Sequence, residues 1–532
     1  MFGEGFIIES FRAALPEAFL CTAACLLLMF GASVGIGMQK YSDNPEQRDI
    51  VTYLSSRGVA LLSIYSLAIT AMLYIHDPRV SWSVFGGGII MDPFIGPVKV
   101  GICITVIAVM LISMETLRRN HLNAFEYSAL ILLSTLGMTL LVSAGDLMTL
   151  YVALELQSLC LYVLAAFHRG SSFSTEAGLK YFILGAFASG LLLFGCMLMY
   201  GFTGTVNFVE ISRLLLGSGA TLSDPYGVGY SAMEPFTSSG IMAGLLLICA
   251  GILFKLTAAP FHMWAPDVYE GAPTTVTAFF ATAPKVAAMA LLVRLLFTTF
   301  YELMATWQHL IGIVAIASMT IAALSALRQR RLKRLMAYSS IGHVGYLLVG
   351  VSAGTVEGVA GVMLYLAIYV MMSLNVWIIL LAAEGEKNEK IRYIGQLASM
   401  MRGQPVLAIT FALVLFSMAG VPPLAGFCAK LYVFMAAIEA GRIMLAVVGV
   451  LTSVIGAFYY IRIIKVMYFE SRVTNSATGN SSSVSSSWLS INTMGIERSI
   501  ILGVTLLGVI VLFSYPSPII IITHQMALGL SV

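Results

Sequence analysis

From Phe254 to Phe279 the sequence reads FKLTAAPFHMWAPDVYEGAPTTVTAF. Lys255 ends a long apolar run, and Pro260 interrupts that run a little over one helical turn later. A proline inside a helix removes a backbone hydrogen bond and clashes with the preceding turn. In lipid, such a break is tolerated only where the backbone faces protein or a hydrated cavity. The stretch therefore predicts a broken membrane helix with a charged side chain beside the break.

A second stretch, from Ala419 to Phe434, has the same features and reads AGVPPLAGFCAKLYVF. Here Lys430 follows the prolines instead of preceding them. The two broken helices lie an odd number of predicted spans apart, so they cross the membrane in opposite directions. Matching breaks in antiparallel helices indicate inverted-topology repeats with a transport site near the midplane. We predict three N-terminal helices in residues 1–120, repeats in residues 124–300 and 301–468, and a Ser-rich loop with a last helix in residues 469–532.

The composition places the whole chain in a membrane. Of its 532 residues, 59% are hydrophobic and only 10% are charged, and the mean hydropathy is +0.92. A soluble domain carries about 25% charged residues, and a spanning helix needs about 20 apolar residues. The sequence predicts an all-α, polytopic membrane protein of about fourteen transmembrane helices, at residues 13–37, 57–76, 94–114, 125–145, 146–167, 177–202, 236–260, 272–298, 303–326, 332–353, 357–383, 405–437, 443–468 and 499–522.

Several function classes are excluded. The seven cysteines are scattered singly, without a CxxC pair or a Cys/His cluster, so the sequence supports no iron–sulfur, zinc or disulfide framework. The net charge of +3 is too small to suggest nucleic-acid binding. We therefore expect no metal and no cofactor in this chain.

The charges of the loops alternate with the predicted spans. One side carries Lys40, Arg48, Arg57, Arg118, Arg119, Arg169, Arg328, Arg330, Arg331, Lys333, Arg334, Lys387, Lys390, Arg392, Arg402, Arg472 and Arg498. The other side carries little more than Arg12, Arg79, Arg213 and Arg442. Basic loops stay on the side from which a membrane protein is inserted. The basic side is therefore predicted to be the inner side, with both termini outside.

The charges inside the spans are the informative ones. Glu155, Lys255, Lys285 and Lys430 all lie near the middle of predicted spans. A charge at mid-bilayer costs at least about 2.5–3.5 kcal/mol, so four of them facing lipid would cost on the order of 10 kcal/mol. They must face the interior of the bundle, where intramembrane charges typically carry ions or protons.

Weaker candidates accompany these four residues. His262 and His343 are either part of a transport route or histidines satisfied at a helix interface. Lys180 follows Glu176 by four residues, so an ion pair at the helix surface competes with a transport role. Glu155 has no lysine one turn away, so its partner must come from another helix. For Arg294 we expect a side chain that reaches the outer surface.

Three runs of the sequence resemble a known family. The stretch from Phe254 to Phe279, the run RLKRLMAYSSIGHVGYLLVG from Arg331 to Gly350 and the stretch from Ala419 to Phe434 resemble the antiporter-like membrane-arm subunits of respiratory complex I. The runs ALELQSLCLYVLAA and STEAGLKYFILGAFASG are similar as well. The resemblance covers most of the chain from Ala124 onward and is weak before it.

The resemblance implies a fourteen-helix fold with two inverted five-helix repeats. By resemblance, Glu155 is the glutamate of the fifth helix, Lys255 and Lys430 are the lysines of the broken seventh and twelfth helices, and Lys285 is the connecting lysine of the eighth. The eleventh helix carries Tyr365 and Tyr369 where the larger paralogue has histidines, and a tyrosine does not readily change its protonation near pH 7.

The resemblance also implies the setting. The partners are the other membrane-arm subunits, including the paralogous antiporter-like subunits, and membrane lipids, with no nucleic acid. NADH, FMN, iron–sulfur clusters and ubiquinone belong to partner subunits. The expected location is the mitochondrial inner membrane, with the bacterial plasma membrane as the alternative.

Two other functions remain open from the residues alone. A stand-alone cation/proton antiporter, or the related subunit of a multi-subunit sodium/proton antiporter, would use the same buried charges without a redox partner. A passive scaffold would use them as structural ion pairs only. Co-purification with NADH-oxidising, quinone-reducing activity distinguishes a complex I subunit from the antiporter, and unchanged pumping by charge-neutral variants would support the scaffold.

Overall fold

The computed structural model describes residues 14–39, 45–76, 82–120, 122, 124–216, 239–383, 391–398, 400–470 and 494–530, with the backbone alone at residues 35–39, 45–54 and 402. Within these ranges the chain is almost entirely helical. The predicted Ser-rich loop, Asn475 to Ser487, lies outside the described residues, as do Arg12, Lys40, Arg79, Lys387, Lys390 and Arg472.

The helices follow the predicted spans closely. The N-terminal group is α1 (Leu15–Gln39), α2 (Pro45–Ile75) and α3 (Ile95–Arg119). The predicted first repeat contains α4 (Phe125–Val142), α5 (Leu147–Ala165), α6 (Ser172–Thr203), the short α7 (Phe208–Leu215), α8 (Ser239–Leu256), α9 (Trp264–Gly271), α10 (Thr274–Ala281) and α11 (Ala283–Arg294), which continues as the π-helix Leu295–Thr299.

The predicted second repeat begins with a 3₁₀ turn, Tyr301–Leu303. It contains α12 (Met304–Leu327), α13 (Leu332–Ala353), α14 (Val356–Ala382), the short turns Ile394–Leu397 and Met400–Gly403, α15 (Pro405–Ala419), α16 (Ala425–Glu439) and α17 (Ile443–Phe469). The C-terminal helices are α18 (Ile496–Ser514) and α19 (Ser517–Leu528).

The described part contains 13 helical segments long and apolar enough to cross a membrane. The predicted twelfth span is observed as two shorter helices, α15 and α16. The multi-pass helical fold is thus confirmed, while the total of fourteen spans and the symmetry of the repeats stay predictions. α13 and α14 are nearly fully buried, which places them at the centre of the bundle.

One small element departs from the all-α prediction. β1 (Trp82–Val84) and β2 (Ile89–Met91) form an antiparallel hairpin between α2 and α3, at the predicted outer end. Ile90 donates its backbone N–H to Ser143 at 2.9 Å, so the hairpin is fastened to the end of α4. Strands of three residues are too short to give a strand signal in the sequence.

Both predicted breaks are present, and their local geometry is alike. After α8, Thr257 adopts φ +65°, and the N–H of Ala258 bonds to Leu253 O at 3.0 Å. After α15, Gly420 adopts φ +88°, and the N–H of Val421 bonds to Phe416 O at 3.1 Å. A left-handed residue with this reverse hydrogen bond is a common helix ending. Each half-helix therefore ends with several of its last carbonyls satisfied inside the membrane.

The eighth predicted span contains an interruption that the sequence did not indicate. Thr282, with φ −117° and ψ −93°, separates α10 from α11, and its hydroxyl donates to Ala278 O at 2.9 Å. Pro284 is the second residue of α11, in the first turn, where a helix tolerates proline. Lys285 follows directly, so its side chain leaves the backbone at a helix start.

The prediction for Arg294 is wrong. Its side chain is 2% exposed, donates to Val142 O at 2.8 Å and lies 3.3 Å from Asp92 Oδ2. Burial raises the pKa of the Asp92 carboxyl, and the Arg294 guanidinium opposes that rise. Arg294 therefore joins three parts of the bundle at the predicted outer end instead of reaching solvent.

A further buried ion pair lies in the N-terminal helices. Lys99 on α3 pairs with Glu17 on α1, and both side chains are almost fully buried. The Lys99 amine also lies 4.9 Å from the ring centroid of Tyr74. The pair joins α1 to α3, and the sequence analysis did not single it out.

Replacing Lys99 alone with Met should lower the free energy of unfolding by about 3–5 kcal/mol, because Glu17 is left as an unpaired buried charge. The variant Glu17→Met/Lys99→Met should recover most of that loss. The measurement is the thermal unfolding midpoint of the purified protein. Lys465→Met is the matched control, since Lys465 pairs with Glu470 at 3.7 Å on the surface and such pairs contribute about 0–1 kcal/mol. An unchanged midpoint in the Lys99 variant would contradict a structural role for the pair.

Candidate functional site

Lys255, at the end of α8, contacts Tyr162 on α5, the helix that also bears Glu155. Both Glu155 and Lys255 are partly buried, and within the described residues no ion pair within 4.0 Å joins them. Glu155 Oε2 accepts a hydrogen bond of 3.2 Å from the Ser158 hydroxyl, while its Oε1 is buried and has no hydrogen-bond partner in the described part of the chain. The predicted partner of Glu155 is thus nearby, but another side chain holds it.

Tyr162 is the side chain that holds Lys255. The Lys255 amine donates to the Tyr162 hydroxyl at 3.1 Å and lies 5.2 Å from the ring centroid. Glu155, Ser158 and Tyr162 are spaced three and four residues apart on α5, so they line one face of that helix. A row of polar atoms therefore leads from the carboxylate to the amine.

Lys285 lies at the centre of the molecule. Its side chain is 2% exposed, and the amine has no hydrogen-bond partner among the described residues. The ring centroids of Tyr269 and Tyr369 lie 5.8 and 5.7 Å from the amine. Aromatic faces attract a cation, but they supply far less than water does. Lys285 is therefore the buried amine that has the least support for its charge.

His343 on α13 is held between two tyrosines. Its Nδ1 lies 2.7 Å from the hydroxyl of Tyr365, and its Nε2 lies 3.3 Å from that of Tyr460. Tyr460 in turn lies 2.5 Å from the Ser339 hydroxyl. Each of these oxygens both donates and accepts hydrogen bonds. The imidazole thus has a partner at both nitrogens, whichever of them carries the proton.

Lys430 lies on α16, after the second break, and its side chain reaches back to the end of α15. Its amine donates to Ala419 O at 2.8 Å and lies 5.0 Å from the ring centroid of Tyr346. Ala419 is the last residue of α15, so its carbonyl has no partner within the helix. The negative end of the helix dipole therefore favours the charged form of the amine.

Aromatic side chains fill the spaces between these groups. Between Lys255 and Lys285, the Lys255 amine lies 5.9 Å from the ring centroid of Phe254, and the Lys285 amine lies 5.8 Å from that of Tyr269. The ring of Trp264 lies between these two rings, with its centroid 5.5 Å from that of Phe254 and 6.4 Å from that of Tyr269. Between Lys285 and Lys430, the Lys285 amine lies 5.7 Å from the ring centroid of Tyr369, and the Lys430 amine lies 5.0 Å from that of Tyr346. The ring of His343 lies between these two rings, with its centroid 5.4 Å from that of Tyr369 and 6.2 Å from that of Tyr346. We call Glu155, Lys255, Lys285, His343 and Lys430 the charged row.

A small cavity adjoins the charged row beside Tyr369. Its volume is about 10 Å³, and its lining includes the hydroxyl-bearing residues Ser339, Ser340 and Ser373. That volume is close to what one water molecule needs, and the lining offers several hydrogen-bonding groups. The cavity is therefore suited to a water molecule next to the row.

The two remaining predicted residues lie away from the charged row. His262 lies in the non-helical segment between α8 and α9, partly buried, and its Nδ1 has no hydrogen-bond partner among the described residues. Lys180 is 43% exposed and pairs with Glu176 at 2.7 Å and with Asp267 at 3.0 Å. The surface ion pair considered for Lys180 is therefore present.

Lys180 belongs to a group of charges at the predicted inner end. Asp267 also pairs with Arg334, and Glu270 pairs with Arg331 and lies 3.5 Å from the Arg334 Nε. The Glu270 carboxylate raises the pKa of Arg331 through a hydrogen bond and its charge. The group, which we call the inner charge cluster, links α6, α9 and the start of α13.

The site residues that the sequence reasoning missed are mostly tyrosines. Tyr162, Tyr346 and Tyr460 contact Lys255, Lys430 and His343, yet tyrosine is common in membrane helices and its hydroxyl costs little there. Tyr365 was not predicted to carry protons, and its hydroxyl lies directly on His343. The spacing of Tyr162 from Glu155 on one helix face was the only usable signal.

The described residues offer no group of three or more His, Cys, Asp or Glu side chains that could hold a metal ion. The charged row instead combines amines, an imidazole, a carboxylate and hydroxyls. Such groups take up and release protons when burial and neighbouring charges change. The chemistry that this arrangement can perform is proton transfer.

Comparison with known proteins places the chain in a family. The family model described as NADH:quinone oxidoreductase/Mrp antiporter, transmembrane, matches residues 144–456. NADH-ubiquinone oxidoreductase chain 2 of Marchantia polymorpha is 44% identical over 98% of this chain and 99% of its own length. NADH-quinone oxidoreductase subunit N of Parvibaculum lavamentivorans is also 44% identical, over 97% and 96%.

Solved structures agree with this placement. A chain of respiratory complex I from Thermus thermophilus is 26% identical, covers 95% of this chain and 98% of its own, and superposes with a TM-score of 0.73. A chain of the Mrp complex from Dietzia sp. has a TM-score of 0.77 over 97% and 98% of the two chains, and its 19% identity indicates a shared fold alone. The chain therefore belongs to the NADH:quinone oxidoreductase/Mrp antiporter family and, within it, to the group of NADH-ubiquinone oxidoreductase chain 2 and NADH-quinone oxidoreductase subunit N.

Proposed function

We propose that this chain, as a membrane-arm subunit of proton-translocating NADH:quinone oxidoreductase, carries protons along the charged row. The chain is a multi-pass subunit of that enzyme, in the mitochondrial inner membrane, as the plant relatives indicate. NADH oxidation, with its FMN and iron–sulfur clusters, and ubiquinone reduction take place in partner subunits, and this chain performs no redox step itself.

The position of Lys285 is the observation that carries the proposal. An amine buried at the centre of the bundle without a hydrogen-bond partner among the described residues is costly as a cation. It lies between Lys255 and Lys430, with His343 on the route to the latter. A scaffold would gain nothing from this arrangement, whereas a residue that alternately binds and releases a proton requires a weakly supported charge.

The energies are of the size that gating requires. At an effective dielectric constant of ~20 and roughly 6 Å, a Glu–Lys interaction is worth about 3 kcal/mol, or about two pKa units. Moving one charge through 100 mV costs about 2.3 kcal/mol. Bringing Lys255 to Glu155, or withdrawing it, is therefore sufficient to decide where the proton goes. Quinone reduction in neighbouring subunits would drive that movement.

The proposed partners follow from the lateral surface around Glu155. Val152, Leu159 and Val163 are 61%, 53% and 54% exposed on the same side of α5. A carboxylate beside an apolar surface is costly if lipid covers it. We propose that a neighbouring membrane-arm subunit, such as a paralogous antiporter-like subunit, covers this face, while lipids contact the other exposed helices.

A cation/proton antiporter remains the second candidate, since the Mrp complex shares the fold. The 44% identity to oxidoreductase subunits favours a redox partner. Co-purification of the chain with NADH-oxidising, quinone-reducing activity tests this point. Recovery of the chain in a complex without that activity would favour the antiporter.

Glu155→Gln and Lys255→Met should each leave assembly largely intact and lower proton pumping by roughly tenfold, because each removes one proton-binding or gating group. Pumping is measured in vesicles that contain the assembled complex and are energised with NADH. Lys465→Met, a change on the exposed part of α17, should pump normally. Normal pumping by an assembled Lys255→Met complex would end the proposal.

A further inference from the structure

We propose that Tyr162 is a positioning residue that keeps the Lys255 amine apart from Glu155 and so sets how readily the two form an ion pair. The inference rests on the proposed function, since it concerns the gate of the same charged row. Lys255 then has two places: the observed one on the Tyr162 hydroxyl, and one on the Glu155 carboxylate.

The observed contacts make Tyr162 the holder of the amine. Lys255 Nζ lies 3.1 Å from the Tyr162 oxygen and over the side of its ring. A phenol oxygen is neutral, so it binds an ammonium group less strongly than a carboxylate does. The amine is thus held in a place that it can leave when the surroundings change.

Glu155 retains the capacity to receive the amine. Its Oε2 accepts a hydrogen bond from Ser158, but Oε1 is buried and finds no hydrogen-bond partner among the residues that the structure describes. A buried carboxylate oxygen without a donor is an unfavourable state that a nearby ammonium group would relieve. The absence of an ion pair between the two side chains therefore needs a competing partner, and Tyr162 is that partner.

The helix α6 fixes the position of the hydroxyl. A Cβ added to Gly185 would lie 2.1 Å from the Tyr162 oxygen and 2.6 Å from its Cζ, so only glycine allows the ring to lie where it does. The rings of Tyr181 and Phe182 meet the Tyr162 ring edge-on, at 4.7 and 5.7 Å between centroids. Packing therefore fixes the Tyr162 hydroxyl in place, so it does not move with the Lys255 amine.

Two substitutions alter the hydroxyl in different ways. Tyr162→Phe removes it and retains the ring, and Gly185→Ala displaces it from α6. Both should let Lys255 settle on Glu155, which slows release of its proton. Gly190→Ala is the matched control on the same helix, because a Cβ at Gly190 meets no atom of the described residues within 4 Å.

The experiment measures NADH-driven proton pumping by the assembled complex in vesicles. We expect Tyr162→Phe to lower the rate by about tenfold, the lower end of the effect of one hydrogen bond to a charged group. Gly185→Ala should lower it in the same direction, and Gly190→Ala should leave it unchanged. If Gly185→Ala reduces assembly, the pumping rate of Tyr162→Phe relative to the wild type tests the inference.

A comparison within the Glu155→Gln variant distinguishes a positioning role of Tyr162 from a purely structural one. In Glu155→Gln there is no carboxylate to capture the amine, so adding Tyr162→Phe should cause little further loss. A full additional tenfold loss in that background, or normal pumping by Tyr162→Phe alone, would overturn the inference. The proposed function fails separately, if an assembled Lys255→Met complex pumps normally.

Discussion

Lys285→Met should yield an assembled complex that is at least as stable as the wild type and pumps protons at least about ten times more slowly. The loss of pumping follows from the position of Lys285 in the row, since a proton-transferring side chain typically contributes 10²–10⁴-fold. The unchanged stability follows from its contacts. The amine has no hydrogen-bond partner among the described residues, so its removal leaves no donor or acceptor unpaired.

Methionine suits this test because it matches the unbranched lysine side chain and packs well against aromatic rings. Replacing a buried charge with an apolar group of similar volume is often neutral or stabilising. The thermal midpoint and the pumping rate should be measured on the same preparation. A variant that is strongly destabilised would show that the charge of Lys285 is structural, and normal pumping would remove Lys285 from the route.

Lys430→Met should differ from Lys285→Met in stability but not in pumping. Its amine donates to Ala419 O at 2.8 Å, at the end of the half-helix α15. Removing the donor leaves a buried carbonyl unsatisfied, which costs about 1–3 kcal/mol. We therefore expect at least about a tenfold loss of pumping together with a lower thermal midpoint.

Lys430→Arg is the informative companion variant. It restores a donor for the Ala419 carbonyl, but a guanidinium group does not release its proton in proteins. The arginine variant should therefore regain more of the stability than of the pumping. Equal recovery of stability and of pumping would mean that Lys430 only stabilises the break and carries no proton.

The breaks and the buried charges were predictable because each violates a strong rule of membrane helices. Pro260 and Lys255 stand out in an apolar run, as do Pro422 and Lys430. Lipid tolerates neither a broken backbone nor a charge without a specific environment. Such signals are local, so a single sequence displays them.

The remaining features depend on contacts between distant segments. Lys99 lies inside a predicted span, yet its partner Glu17 comes from another helix. Arg294 was expected at the surface because nothing in the sequence indicates that Asp92, beyond the hairpin, lies against it. Tyr162 carries no charge, so its importance arises only from where α6 and α8 place Gly185 and Lys255.

The inner charge cluster gives the two halves of the molecule a shared mechanical element. Asp267 and Glu270 lie on α9, the continuation of the broken helix that bears Lys255, and Arg331 and Arg334 lie at the start of the helix that bears His343. A shift of α9 relative to the start of α13 would therefore require these ion pairs to break or to exchange partners.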